Sequence, residues 1–255
     1  MSDSIFPERL KMASDSKKSR IVLALDLVGN NRKTIMTQAT NLIVNTSNSI
    51  VAVKLNYHLL LPLSEDEIRE IVELSHQNGL QVIADMKLND IGSTNLTVAS
   101  YLWKIGFDGI IANPIAGYDD ALEPLIDSAH TFKKGVILLV YMSHAGAKET
   151  YGIRVLSRGQ EMRLYEEFLD RAISWDADGI IVGGTHLDIL REASQKVNGR
   201  LNIFSPGAGK QGGDVKLMVE SGADYIIVGR SIINARNPVE AAMDLHSRSW
   251  TQSTR

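Results

Sequence analysis

Short apolar runs recur along the chain at 21–25, 50–53, 82–84, 109–112, 136–141, 179–182, 201–204 and 225–228. None alternates strictly between apolar and polar positions, which is the pattern of strands buried on both faces in a parallel sheet. The segments between them have helical length and period. Residues 64–77 are the clearest: Ser64 and Glu67 form a capping-box signature, Ile68, Ile71 and Val72 mark an apolar face, and Gly79 stands just past the end as a stop. Residues 158–175 read as another helix, with Met162, Tyr165, Phe168, Leu169 and Ala172 on one side. Strand and helix alternating eight times predict a single (β/α)8 TIM barrel, a fold that typically takes about 250 residues. A doubly wound open sheet is the rival arrangement, but no Gly-x-Gly-x-x-Gly follows the first strand. Residues 1–18 predict a short outer helix ahead of the barrel, and residues 249–255 a frayed tail.

Composition narrows the partners. A chain of 255 residues, 44% hydrophobic and 22% charged, can bury one large core. Its net charge of −3 supplies no basic field for nucleic acid or an anionic membrane, so the expected partner is a small molecule. The absence of cysteine excludes disulfides, thiolate nucleophiles and cysteine-ligated metals. Met1 to Arg20 is polar, and no run approaches the roughly 20 apolar residues of a spanning helix, so the chain reads as cytoplasmic. His58, His76, His130, His144, His186 and His246 have no metal-ligand spacing. His144, beside Ser143 after the fifth strand, fits a loop-structuring role.

In a TIM barrel, chemistry gathers where strands end. The first strand ends in Asp26, the second in Lys54-Leu55-Asn56, the third in Asp85-x-Lys87-x-x-Asp90 and the fifth in Ser143. Two lysines and three aspartates are therefore expected to converge on the barrel mouth. An Asp-x-Lys-x-x-Asp match alone arises by chance in roughly 5% of chains this long. Its coincidence with Asp26 and Lys54 at two earlier strand ends separates a site from an ordinary salt-bridge network. The seventh strand runs into Ser205-Pro-Gly-Ala-Gly-Lys-Gln-Gly-Gly-Asp214, and the eighth into Gly229-Arg230-Ser231. Glycine lets backbone N–H groups approach an anion, and barrels often hold phosphate between these two loops. Gln211 offers an amide donor and Arg230 a planar fork, so a phosphorylated substrate is expected.

Together these residues resemble the orotidine 5′-monophosphate decarboxylase family in its compact microbial and archaeal form. The resemblance runs from Ile21 to Pro238. It implies that Asp26 and Lys54 contact ribose, that Asp85, Lys87 and Asp90 with Lys54 form the catalytic array, and that Ser143 reads the pyrimidine. Gln211 and Arg230 would hold phosphate, with Pro206, Gly229 and Ile91 also in the substrate-binding set. It further implies a homodimer in which Asp90 and Thr94 complete the partner's site. Gly92, where many relatives have proline, is expected to loosen the turn after the array; Lys210, where relatives often have a small residue, is expected to add a positive charge to the closing loop.

The implied reaction is loss of CO₂ from carbon 6 of orotidine 5′-monophosphate, the last step of de novo pyrimidine nucleotide synthesis, without metal or organic cofactor. Lys87 would stabilise the developing carbanion and protonate it, Asp85 would oppose the substrate carboxylate, and Lys54 and Asp90 would hold Lys87 charged and oriented. Two alternatives share the barrel. The Mg²⁺-dependent 3-keto-gulonate 6-phosphate decarboxylases and hexulose 6-phosphate synthases resemble it at Asp85, Lys87 and Asp90, but use an acidic residue where this chain has Lys54. A non-catalytic phosphate-ligand-binding barrel would keep the pocket without turnover.

Overall fold

In the computed structural model, which describes residues 5–29 and 31–250, eight parallel strands close on themselves. In chain order the strands are β1 (Ile21–Ala24), β2 (Ala52–Leu55), β3 (Gln81–Leu88), β4 (Gly109–Ala112), β5 (Gly135–Tyr141), β6 (Arg154–Ser157), β7 (Gln160–Arg163), β8 (Gly179–Val182), β9 (Asn202–Pro206) and β10 (Tyr225–Val228). The barrel order is β1-β10-β9-β8-β5-β4-β3-β2, with β1 pairing both β2 and β10, so the open-sheet alternative is excluded. Helices between successive strands cover the outside, which is why the strands are buried on both faces. Among the described residues no helix is long and apolar enough to cross a membrane.

Three strands begin and end where their apolar runs do: 109–112, 179–182 and 225–228. Others extend beyond them, and two of these carry charge. β2 continues through Lys54, paired with Ala24 and Ile83, and β3 continues through Asp85 and Lys87 to Leu88. The charged residues thus sit within the ladder, because backbone pairing does not require an apolar side chain. The helix at Glu65–Gln77 has the expected capping box, with Ser64 and Glu67 bonded reciprocally.

The expected helix at 158–175 is shorter, Leu164–Ser174. Residues before it form the antiparallel β6–β7 hairpin, whose two-residue loop is Arg158-Gly159. Both loop residues have positive φ, 49° and 77°, the geometry of a tight hairpin turn. Exposed strands carry no buried run to mark them, and Met162 falls at helical spacing from the true helix.

The N-terminal helix, Phe6–Lys17, is more than an outer addition. Phe6 is fully buried against Gly109 and Gly135, where an added Cβ would stand 3.0 and 2.1 Å from its ring. It closes the barrel at the N-terminal ends of β4 and β5; burial of one phenylalanine contributes about 2–3 kcal/mol. At the other terminus Ser249 is not frayed: it is buried at the end of helix Pro238–Ser249, and its hydroxyl accepts from the Arg20 N–H. Trp250 packs under Lys18 and Arg20. The remainder of the expected tail, 251–255, and residues 1–4 lie outside the described residues.

A local motif recurs at the bottom of the barrel. Asp108, Asp178 and Asp224 each precede a strand and accept from a backbone N–H of a neighbour: Val82 at 2.9 Å, Val136 at 2.8 Å and Ile203 at 2.8 Å. Burial raises the Asp178 carboxyl to about 6, despite the Val136 N–H and nearby His130. The folded state therefore binds the proton more tightly than the unfolded chain, whose aspartate titrates near 3.9. The stabilisation is complete below about pH 4 and is lost as pH rises through 6. Asp178→Asn keeps an acceptor for Val136, so thermal melts of this variant are expected to lose the parent's decline in stability between about pH 4 and 6.

Candidate active site

Asp26, Lys54, Asp85 and Lys87 line one cavity of about 190 Å³. They form an alternating row across three adjacent strands. Lys54 Nζ lies 3.9 Å from Asp26 Oδ1 and 2.5 Å from Asp85 Oδ2, while Lys87 Nζ donates to Asp85 Oδ1 at 2.6 Å. The Asp85 carboxylate thus bridges two ammonium groups, one on each oxygen. Burial pushes its carboxyl up, but Lys54 and Lys87 together override burial and hold it below the usual carboxylate range. Asp85 is therefore ionised before any substrate arrives.

The third strand makes this arrangement by breaking its own regularity. Its register against β4 shifts between Ala84 and Leu88, and Lys87 adopts the left-handed region at φ 47°. For a residue with a Cβ this conformation costs about 1–2 kcal/mol. The bulge turns Lys87, with a side chain 36% exposed, toward the cavity while Asp85 and Lys54 stay buried.

Asp90, Ile91 and Thr94 do not line this cavity and are exposed. The expected convergence of three aspartates is corrected to two, and Asp90 does not orient Lys87 in its own chain; Asp85 does. The reason is the turn into helix Gly92–Ile105. Asn95 donates to the Asp90 carbonyl at 2.6 Å and to the Ala121 carbonyl at 3.1 Å, pinning the turn, and the Asp90 carboxylate accepts from the Ile91 N–H. Gly92 tightens this region instead of loosening it, since a Cβ there would stand 2.8 Å from the Asp120 carbonyl oxygen and 2.9 Å from Pro124.

The floor of the cavity is apolar, built from Ile111, Leu139, Ile181 and Ile227. Ser143 lines it from the loop after β5; His144 is exposed and does not. Pro206, Gln211, Gly229 and Arg230 line the wall supplied by β9 and β10, together with Lys210 and Ser231. At two glycines there a side chain would crowd its neighbours. A Cβ at Gly229 would stand 3.1 Å from Asp26 Oδ2, and one at Gly209, whose φ is 75°, would stand 2.2 Å from Ser231 Oγ. The glycine-rich loop is thereby laid down on Ser231, whose hydroxyl accepts from the Lys210 N–H at 3.3 Å.

Two supporting residues have roles that the sequence does not show. Asn56 donates to Asp26 Oδ1 at 2.7 Å, and Thr185 donates to the Ser143 carbonyl at 2.9 Å. Asn56 was legible as a polar strand end; Thr185 had no signal beyond its place after a buried strand. The donor set does not suit a divalent cation: the Lys54 ammonium stands between the two carboxylates, and both Asp85 oxygens are occupied by ammonium groups. Among the described residues no three His, Asp or Glu side chains gather as metal ligands.

Comparison with known proteins agrees with this geometry. The chain is 34% identical over 226 residues to the orotidine 5′-phosphate decarboxylase of Pyrococcus abyssi, covering 89% of this chain and 97% of that protein. It is 32% identical to the enzyme of the same name from Thermococcus kodakarensis, covering 90% and 96%. Among solved structures, orotidine 5′-monophosphate decarboxylase from Methanocaldococcus jannaschii, complexed with inhibitor BMP, superimposes with a TM-score of 0.78 at 27% identity, over 91% of this chain and 99% of that one. The profile of the Orotidine 5'-phosphate decarboxylase / HUMPS family matches residues 19–245, from just before β1 into the last helix. With its barrel, charged row and glycine-rich loop all inside that match, the chain belongs to the Orotidine 5'-phosphate decarboxylase / HUMPS family.

Proposed function

We propose that this chain is a carboxy-lyase that converts orotidine 5′-monophosphate to uridine 5′-monophosphate and CO₂ without metal or organic cofactor. One observation carries the reading: the Asp26–Lys54–Asp85–Lys87 row and the Gln211–Arg230 pair line the same cavity. A phosphate held by the Arg230 fork and the Gln211 amide would lay the pyrimidine over the apolar floor, with Ser143 at its edge. Asp26 and Lys54 would meet the ribose. The ring carboxylate would then face Asp85, and Lys87 would stand beside carbon 6.

When the bond from carbon 6 to the carboxylate breaks, CO₂ departs and the electron pair stays on carbon 6. That pair lies in an sp² orbital with poor delocalisation, so the nearby ammonium charge stabilises it and Lys87 then supplies the proton. The amine left on Lys87 regains its proton from solvent. Because Asp85 is already ionised, its repulsion toward the substrate carboxylate is present on binding and is relieved as CO₂ leaves. Lys54 keeps Asp85 charged and in place throughout, and phosphate contacts supply the binding energy that offsets this repulsion.

The same reading gives a homodimer, in which Asp90 and Thr94 of each chain reach the partner's cavity. Both, and Ile91 between them, are exposed and stand outside their own cavity. Leu61, Ile91 and Ile115, 77%, 63% and 53% exposed, lie on the loops after β2, β3 and β4, three neighbouring strands. It also treats residues 1–255 as one barrel domain and puts the enzyme in the cytoplasm.

The test is the ultraviolet absorbance change of orotidine 5′-monophosphate in excess EDTA. Conversion that EDTA leaves untouched supports the reading. Conversion restored only by Mg²⁺ overturns the metal-free part of the reading, and binding without conversion leaves a phosphate-binding barrel. In the same assay Arg230→Ala is expected to raise KM about tenfold to a hundredfold while lowering kcat less, as loss of a charge-assisted contact does.

A further inference from the structure

The segment that ends β2 reaches three neighbours in succession. Lys54 pairs with Asp85, Asn56 donates to Asp26, and the Tyr57 hydroxyl donates to the Met86 carbonyl at 2.7 Å. The first two contacts hold side chains of the charged row. The third holds backbone, at the peptide that joins Met86 to Lys87.

That peptide is where the strand is strained. The φ angle of Lys87 is 47°, and the β3–β4 register shifts across the same residues. Rotation of the 86–87 peptide plane changes the ψ of Met86 and the φ of Lys87 together, and it swings the Met86 carbonyl to the opposite side. Such a flip would relieve the left-handed conformation. It would also break the Tyr57 hydrogen bond. The flip alone leaves the Lys87 Cα–Cβ bond nearly in place, but it frees the bulged backbone to relax, and that relaxation would draw the ammonium off Asp85 Oδ1. Tyr57 itself is tied down at the base of its one-turn helix Tyr57–Leu60: Asn56 caps that helix by accepting from the His58 N–H at 2.9 Å while donating to Asp26.

We propose that Tyr57 is a positioning residue that holds Lys87 in its left-handed conformation by anchoring the Met86 carbonyl, so that the ammonium stays on Asp85 and toward the cavity. Tyr57 need touch neither phosphate nor pyrimidine to do this. Its turnover consequence rests on the decarboxylase reading above; its geometric consequence does not.

Tyr57→Phe removes only the hydroxyl and leaves the ring in place. Loss of one net hydrogen bond at the reacting geometry is expected to lower kcat about five- to tenfold, with KM within about twofold of the parent. In the ligand-free protein, Lys87 is expected to react about threefold or more faster with an amine-acylating reagent, followed by mass spectrometry, because an ammonium released from a charge-assisted bond to Asp85 is less protected. Lys210, exposed on the same cavity and not bonded through its side chain to β3, serves as the internal comparison and should label at the parental rate. A parental labelling rate at Lys87 overturns the proposal, as does a raised KM with unchanged kcat. If the parent itself does not convert orotidine 5′-monophosphate, the decarboxylase reading fails, and the labelling arm still decides the role of Tyr57.

Discussion

Lys87→Ala is expected to reduce turnover by about 10⁴-fold or more, the combined scale of a lost general acid and a lost charge stabiliser. The same variant should bind uridine 5′-monophosphate nearly as the parent does, since Gln211 and Arg230 lie on other loops and lose no partner. It should also fold normally. The Lys87 side chain is more than a third exposed, and Asp85 keeps Lys54 on its other oxygen. Single-turnover absorbance, calorimetric titration with the product and a melting curve separate these three consequences. A parental rate would remove Lys87 from the chemistry and with it the proposed proton donor.

Asp85→Asn is expected to be as damaging to turnover and, unlike the first variant, costly to the fold. Lys54 is 6% exposed, and Asp85 is the partner at hydrogen-bond distance; the next carboxylate, Asp26, is 3.9 Å away. Replacing a buried carboxylate by an amide leaves an ammonium undercompensated in low dielectric, at a cost of about 3 kcal/mol. Urea unfolding should report it. The pH dependence follows from the depressed carboxyl. The ionised form contributes stability above the unfolded value near pH 4, and that contribution is lost as pH falls through the lower folded value. The gap between parent and variant should therefore hold from neutrality to about pH 4 and narrow below it. A variant as stable as the parent at pH 7 would mean that Lys54 finds compensation elsewhere.

Much of the architecture was legible because burial on both faces writes continuous apolar runs. The runs at 109–112, 179–182 and 225–228 are strands with those same ends. Where burial on both faces ends, so does the pattern. Lys54 and Asp85 are buried and charged, so an apolar run ends before the strand does. The 154–163 hairpin is exposed and leaves no run at all. Ser249 departs from the expected frayed tail because its burial depends on a contact with Arg20, near the opposite end of the chain.

The candidate site divides along the same line. Asp26, Lys54, Asp85, Lys87, Ser143, Gln211 and Arg230 were nameable in advance because strand ends of a barrel share one mouth whatever the side chains between them. Spacing could not say that Asp85 would bridge both lysines while Asp90, five residues on, turns to the surface. That outcome depends on Asn95 and Ala121 pinning the turn and on the bulge at Lys87, a contact between residues far apart in the sequence and an unusual backbone state. Sequence alone thus determined the barrel and the chemical types at its mouth, since these follow from local burial and strand order, and its motifs carried the resemblance to the family. Only the tertiary structure decided which charges pair, which residues leave the cavity and what holds Lys87 in place, because pairing is set by distances that no linear pattern encodes.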